Sequence, residues 1–104
     1  MGLFSWLSNK EVDNFAKLLA QDIAKRYPPT MDNAKEKKVS TNRLTKILED
    51  SYVKAKQFRN DKKLGMYKKA KLGNIFRWEL KELGYSAEFV DLATEGLIVY
   101  ISRD

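Results

Sequence analysis

Apolar residues recur at the spacing of an α-helix in four separate segments, and this periodicity constrains the fold more than any other feature of the sequence. In each segment the apolar residues are three or four positions apart, so they line one face of a helix and leave the other face polar. Helix-breaking residues separate the segments at Pro28-Pro29, Gly65 and Gly84. The pattern predicts four main helices, at about residues 9–27, 41–60, 66–83 and 87–101.

A chain of 104 residues is long enough for one domain with a modest core. We therefore expect a single all-α domain over residues 1–104, a bundle of four main helices. Ser8 and Glu11 form a capping box, which predicts that the first helix begins there after a short apolar N-terminal turn. Residues 30–39 are polar and lack an apolar period, so they are expected to form a loop. The predicted core consists of Phe15, Leu19, Ile23, Leu44, Ile47, Leu48, Phe58, Leu72, Phe76, Leu80, Phe89 and Leu92.

The apolar segment 97–101 is compatible with two structures. Five consecutive apolar residues, three of them β-branched, favour a strand. A lone strand leaves its backbone groups unpaired, and no second convincing strand is present in the sequence. We therefore favour a buried terminal helix, whereas the strand alternative implies pairing with another copy of the chain.

The residue types that are missing exclude several kinds of active site. The sequence contains no cysteine and no histidine, which removes thiolate nucleophiles, cysteine-ligated metals, the commonest general base and the commonest transition-metal ligand. It also has no glycine-rich phosphate loop and no recognisable metal motif. We expect a protein that is not an enzyme, with no catalytic residues, no cofactor and no metal. Because no apolar run approaches the ~20 residues of a membrane span, a cytoplasmic location is expected.

The most strongly charged part of the chain is the basic segment, residues 54–71, which has eight basic residues and one acid. A dense local charge of this kind attracts polyanions. On a helical projection Lys56, Arg59 and Lys63 lie within about 60° of one another and predict a basic stripe. The alternative interpretation is a solvated junction between two helices, neutralised by the acidic segment 72–104. The candidate polyanion-binding residues are Lys56, Arg59, Lys63, Lys68 and Lys71.

Two groups of aromatic residues are candidates for an interaction patch. Phe4 and Trp6 belong to an apolar N-terminal cluster that either docks a partner or folds back onto one end of the core. No basic residue precedes Lys10, which argues against attraction to anionic lipid. Tyr67 and Trp78 share one side of the third helix, where they either bind a partner or fill the interfaces of a central helix.

These features favour a non-catalytic helical protein that acts as a protein-interaction or structural module, through a protein partner or self-association. The alternative is a nucleic-acid-binding accessory protein that uses the basic segment, where a single arginine favours contact with phosphates over base recognition. Binding to a membrane surface is not expected. The chain resembles small bacterial-type helical domains only in a generic way, which implies no function.

Overall fold

The computed structural model describes the backbone of residues 2–33 and 41–103 and the side chains of residues 10–33 and 41–103. Within these ranges the chain forms helices and no strand, which confirms the predicted all-α bundle. The strand alternative for residues 97–101 is wrong, because the last helix continues through them with Leu97 and Ile101 buried on its inner face. The helices are α1 (Gly2–Arg26), α2 (Pro29–Asp32), α3 (Thr41–Lys62), α4 (Met66–Leu83) and α5 (Ala87–Ser102).

The first helix is longer than predicted. It begins at Gly2, so Ser8 and Glu11 lie inside it, and both the predicted capping box and the short apolar N-terminal turn are wrong. No proline or further glycine interrupts the helix, and extending an existing helix costs far less than nucleating a new one. The side chains of Phe4 and Trp6 lie outside the described residues, so their candidate role stays a prediction.

A short helix replaces the beginning of the predicted loop. The prolines end α1 as predicted, and Pro29 then starts α2, because a proline at the first helical position has a suitable φ and needs no hydrogen-bond partner for its nitrogen. The prediction of a loop at residues 30–39 is therefore wrong for residues 30–32. Residues 34–39 lie outside the described part of the chain.

The end of α2 is tied to the turn between α4 and α5. The Asp32 carboxylate accepts hydrogen bonds from the backbone N–H of Ser86 at 2.8 Å and from the hydroxyl of Tyr27 at 3.1 Å. The side chain of Asn33 donates to the carbonyl of Gly84 at 3.0 Å. The bonds from Asp32 to Ser86 and from Asn33 to Gly84 connect residues more than fifty positions apart and close one end of the bundle.

The four long helices pack as a ring in the order α1, α4, α5, α3, with α3 returning to α1. The predicted core residues that are buried are Leu19, Ile23, Ile47, Leu48, Leu72, Phe76, Leu80 and Phe89. Phe15, Leu44 and Phe58 are partly buried against this core, and the rings of Phe15 and Phe58 stack at 4.0 Å. The prediction for Leu92 is wrong, since it is exposed on the side of α5 that points away from the other helices.

Candidate interaction surface

Carboxylates of α1 lie beside three lysines of the basic segment. The pairs are Lys54 with Asp22 at 3.2 Å, Lys62 with Glu11 at 2.8 Å and Lys71 with Asp13 at 3.8 Å. The hydrogen bond to Glu11 raises the pKa of Lys62 above its usual range. In these three pairs the neutralising charge comes from α1, not from the acidic segment 72–104 that the sequence suggested.

Arg59 holds the C-terminal end of α5. Its Nη1 donates to the carbonyl oxygen of Ile101 at 3.0 Å and also to the carbonyl oxygen of Arg103. The last carbonyls of a helix have no donor within the helix, so a guanidinium placed there satisfies them. The one arginine of the basic segment therefore has a structural role.

The other candidate polyanion-binding residues do not extend the predicted stripe. Lys63 comes after the end of α3 and has a φ of 51°, so it leaves the helical line of Lys56 and Arg59. Lys63 is exposed, whereas Lys56, Lys68 and Lys71 are half-buried. The predicted single stripe is thus wrong, and the positive charge is spread over α3, α4 and the turn between them.

The two described aromatic candidates are exposed but lie apart. Tyr67 is 71 % exposed and Trp78 is 59 % exposed, so the alternative in which they fill two helix interfaces is wrong. Eleven residues separate them, about 16 Å along α4. Tyr67 lines a groove between α4 and α5, and Trp78 is not among the residues that form it.

The α4–α5 groove, which contains Tyr67, has a volume of about 580 Å³. It is lined by Met66, Tyr67, Lys69, Ala70, Asn74, Ile98, Ile101 and Ser102. The two helices approach closely at Gly73, where a β-carbon would lie 3.2 Å from Ile98 Cγ1. Toward the N-terminus of α4, the small side chain of Ala70 leaves room between the two helices. The surface inside the groove is largely apolar.

A second groove lies on the opposite side of α5. The α3–α5 groove has a volume of about 420 Å³. It is lined by Thr45, Leu48, Glu49, Tyr52, Leu92, Glu95, Gly96, Val99, Tyr100 and Arg103. Its centre is apolar, and the charged residues Glu49, Glu95 and Arg103 are among those that line it.

Between the two grooves, α5 presents an outward line of side chains that we name the α5 ridge: Glu88, Leu92, Glu95 and Val99. No charged residue occurs from Gly96 to Ser102. A helix that is apolar on all sides is usually buried, yet Ile98 and Val99 are almost half exposed. The apolar run at residues 97–101 was the sequence feature that could have indicated this surface, but on its own it favoured a buried helix.

Among the described residues, no group of three or more acidic side chains is placed to hold a metal ion. In the same part of the chain, no helix combines the length and the apolar character needed to cross a membrane. No protein family, characterised protein or solved structure matches the chain.

Proposed function

We propose that this protein is a non-catalytic protein-interaction module whose binding surface is the outer side of α5 and the start of α4. The observation that supports this most directly is the exposure of large apolar side chains along both grooves: Met66 at the α4–α5 groove is 87 % exposed, and Leu92 and Val99 at the α3–α5 groove are 57 % and 45 % exposed. Exposed apolar patches with polar residues at their rim mark interaction sites on soluble proteins.

The shape and chemistry of this surface favour a protein as the ligand. The two grooves are open along the helices, whereas a small-molecule pocket encloses most of its ligand. A helix of a partner can lie along either groove with its apolar side inward. The apolar line of Leu92 and Val99, with Glu49 and Arg103 beside it, matches the apolar centre and polar rim of protein interfaces.

The nucleic-acid alternative has less support from the contacts of the basic segment. Arg59 donates to backbone carbonyls of α5, and Lys54, Lys62 and Lys71 each have a carboxylate of α1 nearby. Solvent screens ion pairs on the surface, so each contributes little and a phosphate could still compete for the lysines. The apolar surface of α5, in contrast, has no role in binding a polyanion.

Site-specific photo-crosslinking tests the proposal. A photoreactive residue is placed at Val99 or, as a matched control, at Leu18, which is also exposed and apolar but lies on α1, across the ring from α5. In a lysate of the source cells we expect a discrete crosslinked protein at Val99 and none at Leu18. The crosslink disappears when Leu92→Asp is added, and it is reproduced with the purified partner. Equal crosslinking at the two positions overturns the proposal.

A further inference from the structure

We infer that the partner of the α5 ridge is a second copy of this chain, packed antiparallel along α5 about a two-fold axis. The inference rests on the proposed function, because it names the occupant of the same surface. It is carried by the positions of Leu92, Val99, Glu88 and Arg103, which form matching pairs when α5 is placed against its own reverse.

The ridge has an internal symmetry in its apolar residues. Leu92 and Val99 are equally far from the midpoint between residues 95 and 96, and they lie within about 20° of each other around the helix. When a second α5 runs in the opposite direction over that midpoint, Leu92 of each copy lies against Val99 of the other. The contact is therefore made twice, as a two-fold interface requires.

The charged residues at the two ends of α5 obey the same symmetry. Glu88 in the first turn of α5 and Arg103, the residue directly after α5, are equally far along the chain from the midpoint. Both are exposed, and neither side chain has an ion pair with another described residue. The antiparallel arrangement places Glu88 of each copy opposite Arg103 of the other. A parallel arrangement would place like charges together, so charge complementarity selects the antiparallel one.

The shape of the surface accommodates this partner. Leu92 and Val99 form part of one wall of the α3–α5 groove, whose volume of about 420 Å³ leaves space beside them. In most helix pairs the rows of side chains on one helix pack between the rows on the other. Each copy contributes the same row of side chains from α5, so one surface supplies both halves of the contact.

Glu95 gives this arrangement a distinctive property. It lies next to the two-fold midpoint, so the carboxylates of the two copies come side by side at the edge of the contact. Two carboxylates that lie side by side repel each other, and this repulsion weakens the dimer. Removing this charge therefore strengthens self-association, an effect that a partner of different sequence does not predict.

The first test is the oligomeric state of the purified 104-residue chain, measured by sedimentation equilibrium from low to high micromolar concentration. We expect a concentration-dependent dimer, and Leu92→Asp raises its Kd by about 100-fold or more, because it buries charge in an apolar contact. Leu18→Asp, the matched change on α1, leaves the Kd as it is. Circular dichroism confirms that both variants keep their helices. A protein that is monomeric throughout, or a dimer unaffected by Leu92→Asp, overturns the inference.

The second test is a charge exchange that reports the direction of packing. Glu88→Arg alone and Arg103→Glu alone each raise the Kd about tenfold, and the double variant returns to within about threefold of the wild type. Glu95→Gln lowers the Kd several-fold. If the double variant stays as weak as the single ones, or if Glu95→Gln weakens the dimer, the antiparallel arrangement is wrong.

These outcomes separate the inference from the proposed function. A monomeric protein that crosslinks at Val99 to a different protein overturns the homodimer and keeps the interaction module. A monomeric protein with no specific crosslink at Val99 overturns both.

Discussion

The ring of Tyr52 in α3 fills the space in which a side chain at Gly96 of α5 would stand. A β-carbon at Gly96 would lie 2.6 Å from Tyr52 Cζ, and the Tyr52 hydroxyl donates to the carbonyl of Ala93 at 2.9 Å. Glycine inside a helix costs about 1 kcal/mol relative to alanine. The close approach of α3 and α5 explains why the chain carries glycine at this position.

Gly96→Ala destabilises the protein, in contrast to the usual effect of alanine in a helix. Displacing the buried Tyr52 ring costs more than the gain in helix propensity, and we expect a net loss of about 2 kcal/mol in the free energy of unfolding. Gly73→Ala is the matched control, because its β-carbon would lie 3.2 Å and 3.3 Å from Cγ1 and Cδ1 of the partly exposed Ile98, a milder contact than at Gly96, and its effect stays within about 1 kcal/mol. Urea unfolding followed by circular dichroism measures both. Equal stabilities of the two variants would contradict the packing described.

Arg59→Ala lowers the free energy of unfolding by about 1–2 kcal/mol, because it leaves the carbonyls of Ile101, in the last turn of α5, and of Arg103, directly after it, without the guanidinium donor. Arg77→Ala is the control, since the pair of Arg77 with Asp91 at 3.0 Å is half exposed and its loss costs less than about 1 kcal/mol. Chemical unfolding of the two variants separates these effects. If Arg59→Ala keeps the stability of the wild type, the structural role of Arg59 is wrong, and its guanidinium is available to bind a polyanion.

The parts of the fold that could be predicted from the sequence are those with local causes. Gly84 ends α4 with a φ of 103°, and Ser86 caps α5 by accepting the backbone N–H of Phe89 at 3.2 Å. Both depend on residues within one turn. The start of α1 was predicted wrongly because a capping box is also a local pattern. Ser8 and Glu11 have its spacing, but the helix has already begun at Gly2.

The candidate surface was only partly predictable, because it depends on which sides of a helix other elements cover. α5 has apolar residues around its whole circumference, so periodicity could not distinguish the buried Leu97 from the exposed Leu92. The sequence is compatible with both an exposed and a buried Tyr67. The role of Arg59 depends on a contact with a residue 42 positions away, which no local pattern reveals.

Stability declines in alkaline solution, because three tyrosines hold their protons more firmly in the folded protein. Burial raises the pKa of Tyr27 to about 12, and burial raises the pKa values of Tyr52 and Tyr85 well above the usual range. In the unfolded chain these hydroxyls ionise near pH 10. The folded state therefore binds more protons than the unfolded state above about pH 10, so its stability is full below that pH and falls as the pH rises toward 12.

Thermal unfolding at a series of alkaline pH values, with tyrosinate absorbance recorded in parallel, measures this decline. Tyr52→Phe removes one of the three ionisable groups and makes the decline shallower. A transition temperature that stays constant from about pH 9 to pH 12 would contradict the effect of tyrosine burial.

Binding of nucleic acid through the basic segment is expected to be weak and strongly dependent on salt. With Arg59 engaged by α5 and three lysines beside α1 carboxylates, few cations remain for phosphates, so we expect a mobility shift at low ionic strength that is lost near about 150 mM salt. Lys63→Glu combined with Lys68→Glu removes the shift, and Lys17→Glu combined with Lys25→Glu is a control of equal charge on exposed positions of α1. Tight binding that persists at physiological salt and is lost only when Lys63 and Lys68 are changed would contradict this expectation. It would identify a polyanion, and not a protein bound at α5, as the main ligand.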